Sequence, residues 1–495
     1  MSRVRVPSIA PPFPNHDPLE TAGIPAHFHP VQATADHALT ERAPAPDSRA
    51  TLVCDNLTAF ALRVRAARDA RRTLDLQYYH WHEDVTGTLL LAEVLAAAER
   101  GVRVRLLLDD LYVRGAERAL ATLDDHPQVQ VRLYNPFHLR RGGVVGDLLE
   151  FLWAGWRLNH RMHNKLWIAD GATVIGGGRN IGDAYFDASS QFNFRDLDLV
   201  VTGPAAAGAL PRFERYWASA WARPIGTVVS HRPALEDLAA LRRDLRAAEA
   251  APPAARFIGR LAELPGLDEG AVALDPAAVR FVADPPGKGR ERKRDPVMVR
   301  EVSLAMARAR RQVLVISPYF VPGRRGTRSL LALRRRGVEV AVLTNSLAAT
   351  DVLAVHGGYA RYRRRLLRAG VTLHEMKPGG QQGRSLLGSG RASLHTKAFL
   401  VDGEELFVGS YNLDPRSAHL NTEGGCFVRH PALAAAMEAE FRRLTAPEHS
   451  WAVRLEGHRL AWRDGGPPLR HEPDTPLSRR ILARIAGWLP IEAHL

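Results

Sequence analysis

Two blocks of the chain carry the same succession of hydrophobic runs. In the first, LDLQYY (74–79) alternates as a strand does. GTLLLAEVLAAAERG (87–101) has the apolar spacing of a helix closed by Gly101. VRVRLLLDD (102–110) and VQVRLYNPF (129–137) are again strands. In the second block QVLVISPYF (312–320), VEVAVLTNS (338–346) and VTLHEM (371–376) are strands. GTRSLLALRRRG (326–337) and GYARYRRRLLRAG (358–370) are the helices between them. Strand, helix, strand in that order predicts parallel strands joined by right-handed crossovers. Each block then runs into two short alternating segments around an Asp-Gly pair, the signal of a hairpin. A helix with aromatic anchors follows, at 211–224 and at 434–451. The pattern predicts an α/β fold made by duplication: two pseudo-symmetric domains, each a mixed sheet flanked by helices, sharing one site at their interface.

Composition shifts set the boundaries. Residues 1–50 are rich in Pro, His and Ala without periodicity and read as an extended lead. The first domain is expected over 51–227, with 51–70 helical, and the second over 296–452. Residues 228–295 depart from the repeat, carry Pro252-Pro253, Pro285-Pro286 and the basic run GKGRERKRD, and read as an insertion and linker outside the site. Residues 453–495 form an extension ending in an amphipathic helix, with Leu477, Ile481, Ile485 and Trp488 on one face and Arg480 and Arg484 elsewhere. That helix suits a membrane surface, or docking on its own domain.

The hairpins carry the chemistry. MHNKLWIADGATVIGGGRN from Met162 and LHTKAFLVDGEELFVGSYN from Leu394 fit one template, with His, Lys, Asp, Gly and Asn at identical spacings. The first copy supplies His163, Lys165, Asp170, Gly177 and Asn180. The second supplies His395, Lys397, Asp402, Gly409 and Asn412. In a strand, residues i and i+2 share a face, so each His and Lys point the same way. The Gly permits close backbone approach, and the Asn beyond it reaches the same wall. Two copies facing each other surround one anion with imidazoles, ammoniums and amides. That set suits a phosphodiester. One neutral imidazole attacks phosphorus, the other supplies a proton to the leaving oxygen, and the lysines hold the developing charge without a metal. No metal or other cofactor is expected, because His-x-Lys lacks a second ligand and neither CxxC nor HExxH occurs. As members of the motif, Asp170 and Asp402 are counted with His163, Lys165, His395 and Lys397 among the candidate catalytic residues, yet a turn position suggests a structural part for both, in the turn or across the halves.

A histidine used this way needs its other nitrogen held. Aligning the repeats pairs Asp196, 33 residues after His163, with Glu423, 28 residues after His395; Asp198 is a rival on the same strand face.

Charge and cysteine content narrow the setting. A net charge of +14 favours an anionic partner, nucleic acid or an anionic membrane surface. The two cysteines, Cys54 and Cys426, stand in opposite halves and suit a reduced compartment, Cys426 as a core residue. No stretch approaches 18 apolar residues, and the start of the chain lacks a signal-peptide pattern. The arginine runs 334–336 and 363–365 read as solvated helix faces.

The paired motif, with the stretches DLDLVVTGP, VRFVADPPGKG, NSLAATDVLAVHGGYARYRRRLLRAGVTLHE and GWLPIEAHL, resembles the phospholipase D superfamily, and within it the bacterial cardiolipin synthase branch, its C-type members in particular. The resemblance covers most of residues 60–495. It implies phospholipase D-type domains and phosphatidyl transfer through a phosphohistidine. It also implies His163 as nucleophile, His395 as acid and base, Lys165, Lys397, Asn180 and Asn412 on the phosphoryl oxygens, and each carboxylate behind the His of its own half. The implied substrates are phospholipids, phosphatidylglycerol first and phosphatidylethanolamine as a further candidate. The protein is then expected peripherally on the cytoplasmic side of the inner membrane, with no nucleic-acid partner. Hydrolysis to phosphatidic acid, nuclease action and a catalytically dead lipid-binding scaffold are the alternatives. The apolar segment 144–160, with Leu148, Leu149, Phe151, Leu152, Trp153 and Trp156, is the candidate for a shielded mouth that favours transfer.

Overall fold

The first sheet has nine strands: β1 (Arg49–Val53), β2 (Thr73–Tyr78), β3 (Arg103–Asp109), β4 (Val129–Tyr134), β5 (Leu166–Ala169), β6 (Thr173–Gly177), β7 (Asp198–Thr202), β8 (Ala222–Pro224) and β9 (Val272–Ala273). Their order is β8-β4-β3-β2-β5-β6-β7-β1-β9. The second has β10 (Val279–Ala283), β11 (Gln312–Ile316), β12 (Glu339–Asn345), β13 (Thr372–Met376), β14 (Ala398–Val401), β15 (Glu405–Gly409), β16 (Gly424–Arg429), β17 (Ser450–Glu456) and β18 (Arg459–Arg463). Their order is β10-β16-β15-β14-β11-β12-β13-β17-β18. In this computed structural model the described residues are 47–113, 115–138, 150, 153–155, 157–234, 236–264, 266–288, 296–378 and 394–488.

The two sheets replay each other. β2, β3 and β4 are parallel, as are β11, β12 and β13, while the motif hairpins β5–β6 and β14–β15 pair antiparallel beside them. The predicted two-domain mixed α/β architecture is the observed one. Each hairpin closes through left-handed residues, Asp170 and Gly171 at φ 55° and 67°, and Asp402 and Gly403 at φ 55° and 70°. A turn with both central residues in that region matches the strands' twist.

The halves meet along a seam. Isolated bridges join Met162 to Thr422 and Arg195 to Leu394. The His163 amide donates to the Thr422 carbonyl at 2.9 Å and the His395 amide to the Arg195 carbonyl at 2.8 Å. One hydrophobic cluster crosses the seam, with Ile168, Val174 and Leu199 from one half and Leu314, Leu406 and Val408 from the other.

Several boundaries differ from the sequence reading. Residues 51–70 are not one helix: β1 comes first because Ala50 and Val53 bury against β7, and the helix Asn56–Asp69 starts only after Asp55 caps the Thr58 amide. Residues 228–295 are not an external linker. The helices Asp237–Ala250 and Pro252–Ala262 place Leu245, Ala254 and Phe257 in the first domain's core, β9 extends its sheet, and β10 opens the second sheet at the place β1 holds in the first. Of the basic run, Lys288 is buried in an ion pair with Asp284 at 2.6 Å; residues 289–295 lie outside the described ones. The extension supplies most of β17 and all of β18. Arg363 is not on a solvated face either, because its guanidinium is buried between Glu375 and Glu472, at 3.2 and 2.8 Å. Among the described residues no helix is long and apolar enough to cross a membrane.

Candidate active site

Each His-x-Lys triplet enters its hairpin from the seam, one residue before β5 or β14 begins. The middle residues face away into the opposite half, as alternation requires. Asn164 accepts from the Thr422 hydroxyl at 2.9 Å, and Thr396 donates to the Arg195 carbonyl at 3.1 Å. The motif glycines sit where strands crowd: a Cβ on Gly177 would lie 2.3 Å from the Leu197 carbonyl oxygen, and one on Gly409 2.4 Å from that of Gly424.

His163, Lys165, Asn180, His395, Lys397 and Asn412 are all buried together at this junction. Nδ1 of His163 lies 2.9 Å from Oε2 of Glu423, and Nδ1 of His395 lies 2.7 Å from Oδ2 of Asp196. The two carboxylates are thus those singled out by aligning the repeats, but they are exchanged. Each stands behind the histidine of the other half, not its own. The bridges at 162 with 422 and 195 with 394 bring each carboxylate's strand to the opposite histidine. Asp198, the rival, is held by Arg63 at 2.9 Å and Arg179 at 3.1 Å, all three fully buried, and serves neither histidine.

Lys165 donates its Nζ to the carbonyl of His163 at 2.7 Å, and Lys397 donates to that of His395. Burial lowers the pKa of Lys165 to about 7 against the pull of Glu423, with Lys397 adding to the fall. Burial likewise lowers Lys397 to about 8, against Asp196 and Glu423. Burial brings His163 to about 4, opposed by Glu423 and aided by Lys165 and Lys397. It brings His395 to about 3, aided by Lys397 and opposed by Asp196. Burial pushes the two carboxylates up, but their imidazoles overcome it, so Asp196 falls to about 2 and Glu423 is lowered. Each lysine acts on the other half's histidine, so one field spans the seam. An arriving anion stabilises every cationic form in it.

The asparagines leave their amide oxygens without partners. Nδ2 of Asn180 meets the Tyr185 hydroxyl at 2.9 Å. A hydroxyl both donates and accepts, so a flipped amide keeps that bond and turns its NH2 to the unpartnered side.

Asp170 and Asp402, expected among the catalytic residues, stand at the far turns of the hairpins. Each is the seventh residue after its histidine along near-extended chain, about 20 Å away. Asp170 accepts from the amides of Arg71, Arg72 and Thr73, and Asp402 from those of Arg310, Arg311 and Gln312. They tie the turn to the start of the neighbouring strand.

Sequence reasoning did not single out the other residues at the site. Ser410 donates its hydroxyl to Glu423. At the equivalent Gly178 there is no room, since a Cβ would meet Asp196 at 2.3 Å. Tyr79 packs edge-on to His163 at 5.1 Å, and Tyr185 and Phe194 pack on His395 at 5.3 and 5.0 Å. Asp284 accepts the Glu423 amide at 3.1 Å. Repeat alignment exposes the Ser410–Gly178 contrast, and Tyr79 is the last residue of the strand run LDLQYY. Of the apolar segment 144–160, residues 144–149, 151, 152 and 156 lie outside the described ones; Trp153 is 84 % exposed.

A family model described as "Cardiolipin synthase, PLD-like domain" matches residues 64–217 and 303–445. The chain is 40 % identical over 459 residues to cardiolipin synthase C of Escherichia coli (strain K12), covering 88 % of this chain and 94 % of that protein. It is 32 % identical over 451 residues to an uncharacterized protein of Helicobacter pylori (strain J99), covering 89 % and 88 %. Among solved structures, phosphatidylserine synthase of Haemophilus influenzae Rd KW20 superposes with a TM-score of 0.59 at 16 % identity, over 90 % of this chain and 95 % of that one, a likeness of fold.

Proposed function

The chain belongs to the phospholipase D-like family of cardiolipin synthases, and we propose that it is a phosphatidyltransferase that makes cardiolipin through a phosphohistidine. The observation that carries this reading is the exchanged pair His163–Glu423 and His395–Asp196, each imidazole flanked by its lysine.

With Nδ1 engaged by a carboxylate, Nε2 of each ring is the reacting nitrogen. Nε2 of His163 attacks the phosphorus of a phosphatidylglycerol. The bond from phosphorus to the glycerol headgroup breaks, and His395 gives that oxygen its proton. The hydroxyl of a second phosphatidylglycerol then loses its proton to His395 and attacks the phosphorus. The N–P bond breaks, and cardiolipin and a free His163 result. Lys165, Lys397 and the NH2 groups of Asn180 and Asn412 hold the phosphoryl oxygens. Glu423 and Asp196 fix the rings and stabilise whichever imidazolium forms. Binding of the lipid phosphate raises the pKa of His395 and so supplies the acid that burial alone withholds. Phosphatidylethanolamine serves as an alternative donor, with ethanolamine leaving.

Vesicles of phosphatidylglycerol, followed by lipid mass spectrometry, test the scheme. Cardiolipin and glycerol should accumulate in equal amounts. His163→Ala and His395→Ala should each lower turnover by at least about a thousandfold. Phosphatidic acid as the main product would mean hydrolysis, and full activity in either variant would defeat the mechanism.

A further inference from the structure

The helix Leu477–Trp488 lies against the helix Leu353–Arg368 through its smallest residues. Ala483 and Gly487 meet Gly357 so closely that a Cβ on Gly357 would lie 2.6 Å from the Ala483 carbonyl oxygen. The opposite face is bare. Leu477, Ile481 and Ile485 recur every four residues and are 65 %, 50 % and 49 % exposed, with Leu482 at 55 % on their flank. These are four of the ten exposed large hydrophobic residues found among the described ones, on a single twelve-residue helix. The side chain of Trp488, the fourth residue of the face foreseen from sequence, lies outside the described ones.

Charge borders this ridge. A groove of about 750 Å³ runs between the two helices and the β17–β18 hairpin, lined by Arg364, Arg459, Arg480 and Arg484 among others. Glu472 beside it is engaged by Arg363, and Glu456 on the hairpin by Arg463 and Arg470. Among the described residues no carboxylate pairs with Arg364, Arg459, Arg480 or Arg484, and Nε of Arg480 is buried without a partner. An apolar ridge flanked by unneutralised guanidiniums matches the layering of an anionic phospholipid surface, acyl chains beside phosphates.

The ridge is tied to the reaction site. Arg479 donates to the carbonyls of Leu347 and Thr350, at 3.0 and 2.6 Å. The next residue, Asp351, accepts from the Tyr319 hydroxyl at 2.8 Å, and its charge is felt by Lys397 and Tyr185. Val352 follows, 37 % exposed.

We propose that the exposed face of the helix Leu477–Trp488, with the arginine groove beside it, is where the protein lies on an anionic phospholipid layer, presenting the catalytic seam to its substrate. The choice of occupant rests on the phosphatidyl-transfer reading. The test is co-sedimentation of the full chain with vesicles of phosphatidylcholine alone or mixed equally with phosphatidylglycerol. Wild type should bind the mixed vesicles and release in high salt. The pair Ile481→Glu and Ile485→Glu should bind about tenfold or more weakly. The pair Arg480→Gln and Arg484→Gln should lose about tenfold at low salt. Both pairs should keep wild-type turnover of monomeric, short-chain phosphatidylglycerol, which also shows that they are folded. Unaltered vesicle binding in both pairs would overturn the proposal. So would a wild-type dimer that the glutamate pair turns into a monomer, because the face would then be a contact between copies. Vesicle binding lost in the variants, with no lipid turned over by wild type, would leave the surface standing and sink the transfer reading.

Discussion

At the scale of single residues, the two aspartates that flank Leu197 have opposite tasks. Asp196 holds Nδ1 of His395, while Asp198 neutralises Arg63 and Arg179 in the core. Replacing a carboxylate by an amide therefore has two distinct results. Asp196→Asn should lower turnover by about a hundredfold or more while leaving the melting temperature nearly unchanged, because the amide retains shape and one hydrogen bond but no longer stabilises an imidazolium. Asp198→Asn strands buried guanidinium charge and should cost about 3–5 kcal/mol of stability, read as a melting temperature lower by about 5 °C or more. Thermal melts and turnover measured on both proteins check this, and a large loss of activity without loss of stability in Asp198→Asn would reverse the assignment. Sequence placed both carboxylates on one strand face, and aligning the repeats preferred Asp196, but it gave Asp198 no other task. What separates them is Arg63, from a helix more than a hundred residues earlier, and no spacing rule reaches that far.

At the scale of elements, the hairpins were legible because their signals are local. Alternation set the His and Lys on one face, and Asp-Gly set the turn. The exchange of carboxylates was not legible. Alignment of two repeats shows which residues are equivalent, and equivalence is the same whether a strand end serves its own half or the other. Nor was β10 legible as the counterpart of β1, since a strand of five residues after a Pro- and Ala-rich stretch has little pattern of its own. The hairpin turns offer a test of the structural part given to the motif aspartates. Burial pushes the pKa of Asp170 up, but bonds from three backbone amides bring it below the ordinary carboxylate value. A carboxylate depressed in the folded state adds stability above its unfolded pKa and loses it as pH falls through the folded one. Asp170→Ala also forces alanine to φ 55°. It should cost about 2 kcal/mol at neutral pH, with a gap to wild type that narrows on acidification below the carboxylate range. Turnover per folded molecule should stay within about threefold. Urea midpoints across pH measure the first, and an activity loss far beyond the folded fraction would return Asp170 to the reaction.

At the scale of the whole molecule, the seam decides whether the duplicated halves behave as two domains or as one. Chains of this length commonly unfold domain by domain. Three features oppose that here. The hydrophobic cluster holding Ile168, Val174 and Leu199 continues into Leu314, Leu406 and Val408 without a gap. His163 and His395 each donate Nδ1–H to a carboxylate of the other half, so separating the halves leaves Asp196 and Glu423 as buried or newly exposed charges without their imidazoles. The backbone itself crosses, with the His163 and His395 amides bonded to Thr422 and Arg195. Unfolding one half would expose the apolar seam of the other, a cost that couples the two. The intact chain should therefore lose structure in one transition. Hydrogen exchange of the central strands β3 and β12 should collapse at the same denaturant concentration, and Asp198→Asn, a change confined to the first half, should shift both by the same amount. If β12 stayed protected after β3 had exchanged, the halves would be independent folding units and the seam only an interface.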